Sequence, residues 1–374
     1  MKCIDEIPAG DLKGKRVLLR SDFNLPIGAN GEVADAFRLK QGWKTVQYLC
    51  ERGARVIIVS HIGREGDSIE PVAREMKKLG PAVFVPDIAG TIAQDAARVM
   101  KDGEIALLEN VRRDEREASN DEGFARALAS LAEMYVDDAF ANAHRTHASI
   151  VGVPKFLPSY AGLLMRDEVR EIDAARSPLS PSFAILGGAK FETKAPLIRS
   201  LLAAYDRVLI CGALANDVFR ARGLPTGRSL ISKELPGKDV LENPRLLVPI
   251  DVTVENPEGQ AKVKKPEDIG EDDKIVDLGP DTVALIAPHL IAAKFILWSG
   301  PTGMYESGYT HYTQAIAELI SKSEAKKVIG GGDTIAAIEA SGVPQDNLGF
   351  LSTGGGAMLE YLLKGTLPGI EALR

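Results

Sequence analysis

Three glycine-rich turns in the C-terminal half could do chemistry. They read Ala184-Ile-Leu-Gly-Gly-Ala-Lys190, Val328-Ile-Gly-Gly-Gly-Asp-Thr334 and Leu351-Ser-Thr-Gly-Gly-Gly-Ala357, and each follows an apolar run and leads into a helical pattern. Glycine lets backbone N–H groups approach an anion, and a following helix N-terminus adds partial positive charge. One such turn is an ordinary feature of an α/β chain, but three in one half point to a polyphosphate site. Lys190 offers an ammonium for phosphate charge, and Asp333 a carboxylate for Mg²⁺. Asp333 could equally cap the helix that Thr334 opens.

The N-terminal half holds a second constellation. Arg20-Ser-Asp-Phe-Asn-Leu-Pro26, Ser60-His-Ile-Gly-Arg64, Leu108-Glu-Asn-Val-Arg-Arg113 and Asp138-Ala-Phe-Ala-Asn-Ala-His-Arg-Thr-His147 each close an apolar run, and Arg38 opens the helix after the first of them. In a parallel sheet those ends share one edge, so Arg38, His61, Arg64, Arg112 and Arg145 converge. Guanidinium groups repel one another unless an anion lies between them, which indicates a small, highly charged substrate. His144 and His147 suggest a metal pair at first sight, but no third ligand accompanies them, and a structural role fits better.

The elements that must position these residues alternate throughout. Strands are expected at 16–22, 55–61, 82–86, 104–110 and 135–140, then at 183–187, 207–212, 246–254, 274–278, 295–299, 327–330 and 348–352. Their continuous apolar runs suit parallel sheets covered on both faces. Between them lie helices such as 37–52, with Leu39, Trp43, Val46 and Cys50 on one face and Gly53 as a stop, and one capped by Asn120. The fold class is therefore α/β: two doubly wound, Rossmann-like parallel-sheet domains joined by a helix and hinge, with ligands beyond the carboxyl ends of the strands. The boundary falls at the charged helix of roughly 162–175, flanked by Pro154 and Pro158 on one side and by Ser177-Pro-Leu-Ser-Pro-Ser182 on the other.

Composition narrows the classes. The 374 residues exceed one ordinary core. A net charge of −7 argues against general affinity for nucleic acid or an anionic membrane. The most apolar stretch, 283–298, is interrupted by Pro288, His289 and Lys294 and cannot span a bilayer. Three scattered cysteines and an N-terminus without an apolar run lead to the expectation of a cytoplasmic enzyme with no signal peptide. No Gly-x-Gly-x-x-Gly follows the first strand, Gly223 to Ser229 is too short for a P-loop, and neither a protein-kinase catalytic loop nor a hydrolase elbow is present. A solute-binding protein would need neither Lys190 nor Asp333, and a sugar-nucleotide transferase would not need the N-terminal arginines.

Taken in order, these seven motifs resemble the signatures of phosphoglycerate kinase from about residue 15 to the C-terminus. The resemblance implies reversible phosphoryl transfer from 1,3-bisphosphoglycerate to ADP, giving 3-phosphoglycerate and ATP with Mg²⁺, by a monomer. It implies a phosphoglycerate-binding domain at 1–158, an interdomain helix at 159–176, a nucleotide-binding domain at 177–355 and a segment at 356–374 returning to the first domain. Asp22, Asn24, Arg38, His61, Arg64, Arg112 and Arg145 would hold phosphoglycerate, with Arg38 nearest the reacting carboxyl phosphate. Lys190 would face the transferring group, and Lys194 and Gly187 the nucleotide phosphates. Gly212 and Pro301 would line the nucleotide site, Glu306 would take the ribose hydroxyls, and Gly331, Gly332, Asp333 and Thr334 would hold phosphates and Mg²⁺. Gly354 and Gly355 would donate N–H groups to the group in flight.

Both possible nucleophiles are ionised at neutral pH, so the chemistry needs alignment and charge neutralisation rather than a general base. Substrates on different domains imply closure that excludes water. The chain departs from the family pattern in a short segment after Arg64, in Arg113 for a common Phe, in Cys211-Gly-Ala213 for a triple glycine, and in Ser299 for a common Asn.

Overall fold

The computed structural model describes residues 1–63 and 66–374. The chain divides into two compact units, Met1–Arg170 with Thr366–Arg374, and Glu171–Gly365. The helix Leu163–Arg176 spans that division in sequence.

The first unit is built on β1 (Arg16–Arg20), β2 (Arg55–Val59), β3 (Ala82–Val85), β4 (Ile105–Leu108), β5 (Met134–Asp137) and β6 (Ser159–Ala161). All pair in parallel in the order β3-β4-β2-β1-β5-β6. Val17, Leu19, Val56, Ile58, Leu107 and Val136 are buried in one core with Leu39, Val46 and Leu49 of the helix Phe37–Glu51. The strands end a few residues before the expected limits because the chain turns into the loops that carry the polar motifs. Ser159–Ala161, expected within the connecting helix, instead forms the edge strand β6. The helix Glu122–Ala129 is capped by Asp121, whose Oδ1 accepts from Phe124 N at 2.7 Å. Asn120 was the expected cap, but it is left-handed, with φ 54, and forms the turn before it.

The second unit has a parallel sheet in the order β15-β14-β13-β7-β8-β9. Its strands are β7 (Ser182–Leu186), β8 (Arg207–Ile210), β9 (Leu246–Leu247), β13 (Phe295–Ser299), β14 (Lys326–Gly330) and β15 (Phe350–Ser352). Phe183, Ile185, Ile296, Trp298 and Ile329 form its core. Two expected strands belong elsewhere. Beyond the two residues of β9, the run 246–254 leaves the main sheet. Its end, β10 (Val252–Glu255), pairs antiparallel with β11 (Ala261–Lys264) and β12 (Lys274–Leu278) in a separate three-stranded sheet. The connection between β10 and β11 is a hairpin closed by Asn256 N donating to Gln260 O at 3.0 Å. So short a link permits only antiparallel pairing.

The last segment, Thr366–Arg374, joins the first unit. Gly369 N donates to Ala143 O at 2.8 Å, and Leu367, Ile370 and Leu373 are buried. The preceding helix Gly356–Lys364 belongs to the second unit, where it follows β15 and buries Ala357, Met358 and Tyr361. Among the described residues no helix is long and apolar enough to cross a membrane.

At the end of β5 two adjacent carboxyls are buried. Burial raises Asp137 to about 7, with Asp138 adding to it against the Ala139 N–H and Arg20; burial likewise raises Asp138 to about 6. A carboxyl whose folded value is raised stabilises the fold below its unfolded value, near 3.8, and that contribution is lost as pH rises through about 7. Asp137→Asn keeps an acceptor for Ala139 N and removes the buried charge. Between pH 5 and pH 8, wild type should lose on the order of 2 kcal/mol more stability than the variant in denaturant titrations. Parallel losses in the two proteins would show that Asp137 is not the source.

Candidate functional site

The four loops of the first-unit motifs follow β4, β2, β1 and β5, four strands adjacent in the sheet. Arg20 is level with Val59 on one side and Asp137 on the other, so their loops leave from one edge. Asn110 stitches two of them together. Its Nδ2 donates to Ile62 O and Asp67 O, each at 2.8 Å, and its Oδ1 accepts from Arg112 N at 3.0 Å.

Here Arg38 Nη1 donates to Asp22 Oδ2 at 3.1 Å, and His61 Nδ1 lies 3.6 Å from Asp22 Oδ1. Burial works against the charge on Asp22, but His61, Arg38 and Arg20 outweigh it and hold the carboxyl below its ordinary value. His61 is pushed down to about 3, by burial first and then by Arg20, Arg112 and Arg38, although Asp22 pulls the other way. It is therefore neutral near pH 7, so Arg38 and Arg20 carry the attraction to Asp22 there.

Arg112 is also held below its ordinary value, by burial and then by Arg20 and Arg145, with Asp22 and Glu117 opposing. His147 is lowered to about 4 by burial and by Arg112, Arg20, Arg145 and His144. The structure thus gathers Arg38, Arg112 and Arg145, with the neutral His61, into one basic cluster around the Asp22 carboxylate. Arg145 is its exposed member. Asn24 N donates to Asp22 Oδ1 at 3.3 Å, and its Oδ1 accepts from Gly63 N at 2.9 Å and holds the loop after β2. Arg64 lies outside the described residues.

The sequence reading missed Arg20. Its side chain is 1% exposed, with Nε donating to Ser149 Oγ, Nη1 to Ser21 O and Nη2 to Asn142 Oδ1. Ser149 in turn donates to buried Glu117 from both its N and its Oγ. The signal was present: a charged residue directly follows the apolar run Val17-Leu18-Leu19.

In the second unit the glycine turns leave β7, β14 and β15, with β13 between the first two. Gly187 packs so closely on the backbone of Gly300 and Pro301 that any side chain would collide with the Pro301 carbonyl. Gly212, Ala213, Pro301 and Asp333 line a cavity of about 500 Å³, with Val252, Ile275, Val276 and Leu278 of the small sheet as an apolar wall. A cavity of that size with an apolar wall and a polar mouth suits a flat heterocycle attached to a charged chain.

Lys194, half-buried, is held below its ordinary value by burial and by Lys190, while Asp333 pulls it up. Its Nζ donates to Ala189 O at 3.2 Å. Lys194 thus feels both the Lys190 ammonium and the Asp333 carboxylate. Gly331 caps the helix Gly332–Ser341 at φ 103, a conformation glycine alone adopts without strain, and no side chain caps that end. Asp333 is thus in the first turn rather than at the cap. Thr334 Oγ1 accepts from Gly300 N at 2.7 Å and donates to Gly330 O at 2.9 Å, tying β13 to β14.

Burial, then Asp333 and Glu306, push the Tyr305 phenol up, so Glu306 stands with Asp333 at the same rim. Gly355 caps the helix Gly356–Lys364 at φ 49 without a side-chain cap. The Gly354 N–H is turned inward to Ser352 Oγ at 3.0 Å. Both glycines stand one strand further out, after β15. Among the described residues no group of three His, Cys, Asp or Glu side chains is placed to hold a metal ion.

The departures have local explanations. Arg113 pairs with Glu109 at 2.8 Å, Cys211 is buried in the core while Ala213 lines the cavity, and Ser299 faces Gly331.

An arginine-lined sheet edge and a second edge of uncapped helix starts with paired lysines define a two-domain α/β enzyme class built to hold phosphorylated ligands. The family model described as phosphoglycerate kinase matches residues 4–365. The phosphoglycerate kinase of Pelotomaculum thermopropionicum is 42% identical, over 97% of each chain. Solved phosphoglycerate kinases are similar throughout. That of Coxiella burnetii has a TM-score of 0.83 and 33% identity, covering 99% of this chain and 97% of its own. That of Pyrococcus horikoshii OT3 has a TM-score of 0.88 and 29% identity, covering 100% and 98%. The chain belongs to the phosphoglycerate kinase family and is a phosphotransferase that acts on nucleotide and phosphoglycerate.

Proposed function

We propose that the basic cluster of the first unit holds 3-phosphoglycerate or 1,3-bisphosphoglycerate, and that the cavity and turns of the second hold ADP or ATP. The observation that carries this is geometric: Arg38, Arg112 and Arg145 come from segments that follow the carboxyl ends of neighbouring parallel strands, above the buried Arg20, with Asp22 the carboxylate paired to Arg38. So much unneutralised guanidinium charge is stabilised by an anion seated among it. Arg38, Arg112, Arg145 and Arg64 supply the charge. His61 is a neutral hydrogen-bonding group, Asp22 fixes Arg38, and Asn24 sets the loop that leads to Arg64.

On the second unit the base takes the apolar cavity against Gly212 and Pro301, and Glu306 takes the ribose. Gly187, Lys194 and the turn from Gly331 to Thr334 take the phosphates. Mg²⁺ is commonly held by one or two carboxylates together with substrate phosphates, and Asp333 beside two lysines fits that arrangement. When bound, it neutralises phosphate charge. A β-phosphate oxygen of ADP attacks the acyl phosphorus, the bond from phosphorus to the carboxyl oxygen breaks, and the electron pair leaves on the carboxylate. No proton moves. Lys190, with the N–H group at Gly355, stabilises the phosphoryl oxygens in transit, while the Gly354 N–H, committed to Ser352 Oγ, holds the turn rather than the expected oxygen. The reading assigns the two substrates to different units and so includes closure as part of the cycle. It also takes the chain as a monomer of the cytoplasm, where its three unpaired cysteines would stay reduced.

Coupled detection of ATP from ADP and 1,3-bisphosphoglycerate tests the assignment. Arg38→Ala should lower kcat by about 10³-fold, because a charge contact made mainly in the transition state is lost. Retention of more than about a tenth of wild-type kcat would remove Arg38 from that role.

Asp333→Asn provides a test on the other unit. Gly331 is the cap, so the substitution should leave the melting temperature within a few degrees of wild type. Loss of the charge should lower activity by roughly 10²-fold, partly restored at high Mg²⁺. Near-normal turnover at low Mg²⁺ would show that the carboxylate does not serve the metal.

A further inference from the structure

Lys190 is one of two residues other than glycine that hold a positive φ, at φ 64 and ψ 74, among the described residues. Such a conformation persists where its surroundings over-determine it. Here they do so on both sides of the residue. The Lys190 carbonyl accepts from Thr193 N at 3.1 Å and Thr193 Oγ1 at 2.8 Å. The next amide, Phe191 N, donates to Ser232 Oγ at 2.8 Å.

Ser232 lies far along the chain, in the irregular segment after the helix Ala213–Ala221. It is fixed there by Asp217, which is fully buried in that helix. Ser232 N donates to Asp217 Oδ1 and Ser232 Oγ to Asp217 Oδ2, each at 2.7 Å. The preceding helix residue, Asn216, donates from Nδ2 to Leu230 O at 3.2 Å and pins the same segment. A carboxylate accepting both donors leaves the serine hydroxyl only its oxygen to offer, and Phe191 N–H takes it.

We propose that Ser232 and Asp217 are positioning residues for Lys190: they lock its left-handed backbone so that its ammonium stays at the transferring phosphoryl group. The inference rests on the role given to Lys190 above. Without the Ser232 hydroxyl the Phe191 amide loses its partner, and Lys190 relaxes toward ordinary backbone angles. The ground-state contacts to nucleotide made by Lys194 and the Gly331 turn are untouched.

Ser232→Ala should therefore lower kcat by about 10-fold with KM for ADP changed less than about twofold. Ser232→Thr, which keeps the hydroxyl, should restore most of the rate. Asp217→Asn keeps the side-chain volume and weakens the same hold, so it should shift kcat in the same direction by a smaller factor. The deciding measurement is a double-mutant cycle with Lys190→Met, in which the effect of Ser232→Ala on kcat should vanish. An undiminished effect in that background overturns the inference, as does an unchanged kcat in a folded Ser232→Ala or Asp217→Asn protein. If Lys190→Met itself leaves kcat intact, the assignment of Lys190 fails instead.

Discussion

The buried guanidinium of Arg20 is the constraint around which the first unit is arranged. An ion taken out of water costs several kcal/mol unless its geometry and partners are nearly complete. Arg20 meets that condition with three acceptors drawn from three places in the chain: its neighbour Ser21, the loop after β5 at Asn142, and the segment at Ser149. Glu117 closes the network behind it. Burial raises Glu117 even though Arg20 and Arg112 pull it down. One base layer of charge thus lies beneath the surface before any ligand arrives. After burial itself, it contributes to the lowering of Arg112, His61 and His147. The loops after β1, β4 and β5 are held to one another through this network as much as through the sheet.

The second unit solves a similar problem with different groups. The edge that carries its glycine turns is made of backbone, with two lysines in place of the arginine set. A guanidinium offers donors in a fixed fork and suits a small anion of fixed shape. A row of helix starts and lysine point charges tolerates a flexible chain of phosphates that must change length by one unit each turnover. Such a backbone site leaves little room for side chains, and the collision that any Cβ at Gly187 would make with Pro301 shows how little. The cavity behind it is closed by the small antiparallel sheet, whose apolar face has no part in the phosphate chemistry.

Much of this was legible in the sequence, and the limits are specific. The parallel strands announce themselves as continuous apolar runs, and the motifs fall where those runs stop, so the sheet edge that carries the motifs could be read without a structure. Pairing partners are not local information. Val252–Glu255 and Lys274–Leu278 carry Thr253, Glu255, Lys274 and Asp277 among their apolar residues, and with the short link through Gly259 to Ala261–Lys264 this mixed pattern betrays an antiparallel sheet. The choice between Asn120 and Asp121 as cap turned on which of two adjacent residues would go left-handed, and asparagine tolerates that better. Arg20 and Asp217 went unnoticed because each is a polar residue inside an apolar element. Such a residue has meaning only through partners distant in the chain.

The departures from the family pattern fall where they cost little. Arg113 sits beside Arg112 and adds cationic charge next to a cluster already rich in it, yet its guanidinium turns to Glu109. The carboxylate of Glu109 also accepts from Ser68 Oγ, Ile69 N and Asn110 N. A half-exposed pair of that kind contributes less than about 1 kcal/mol, and it leaves Arg112 its own contacts. Cys211 points into the core, where a small apolar side chain fits. Ser299 is short and stands beside the Gly331 cap, where the helix start presents N–H groups in any case. In each instance the neighbouring charged or anion-accessible group is a backbone group or a different side chain, so the departing residue itself meets only local packing or a local ion pair.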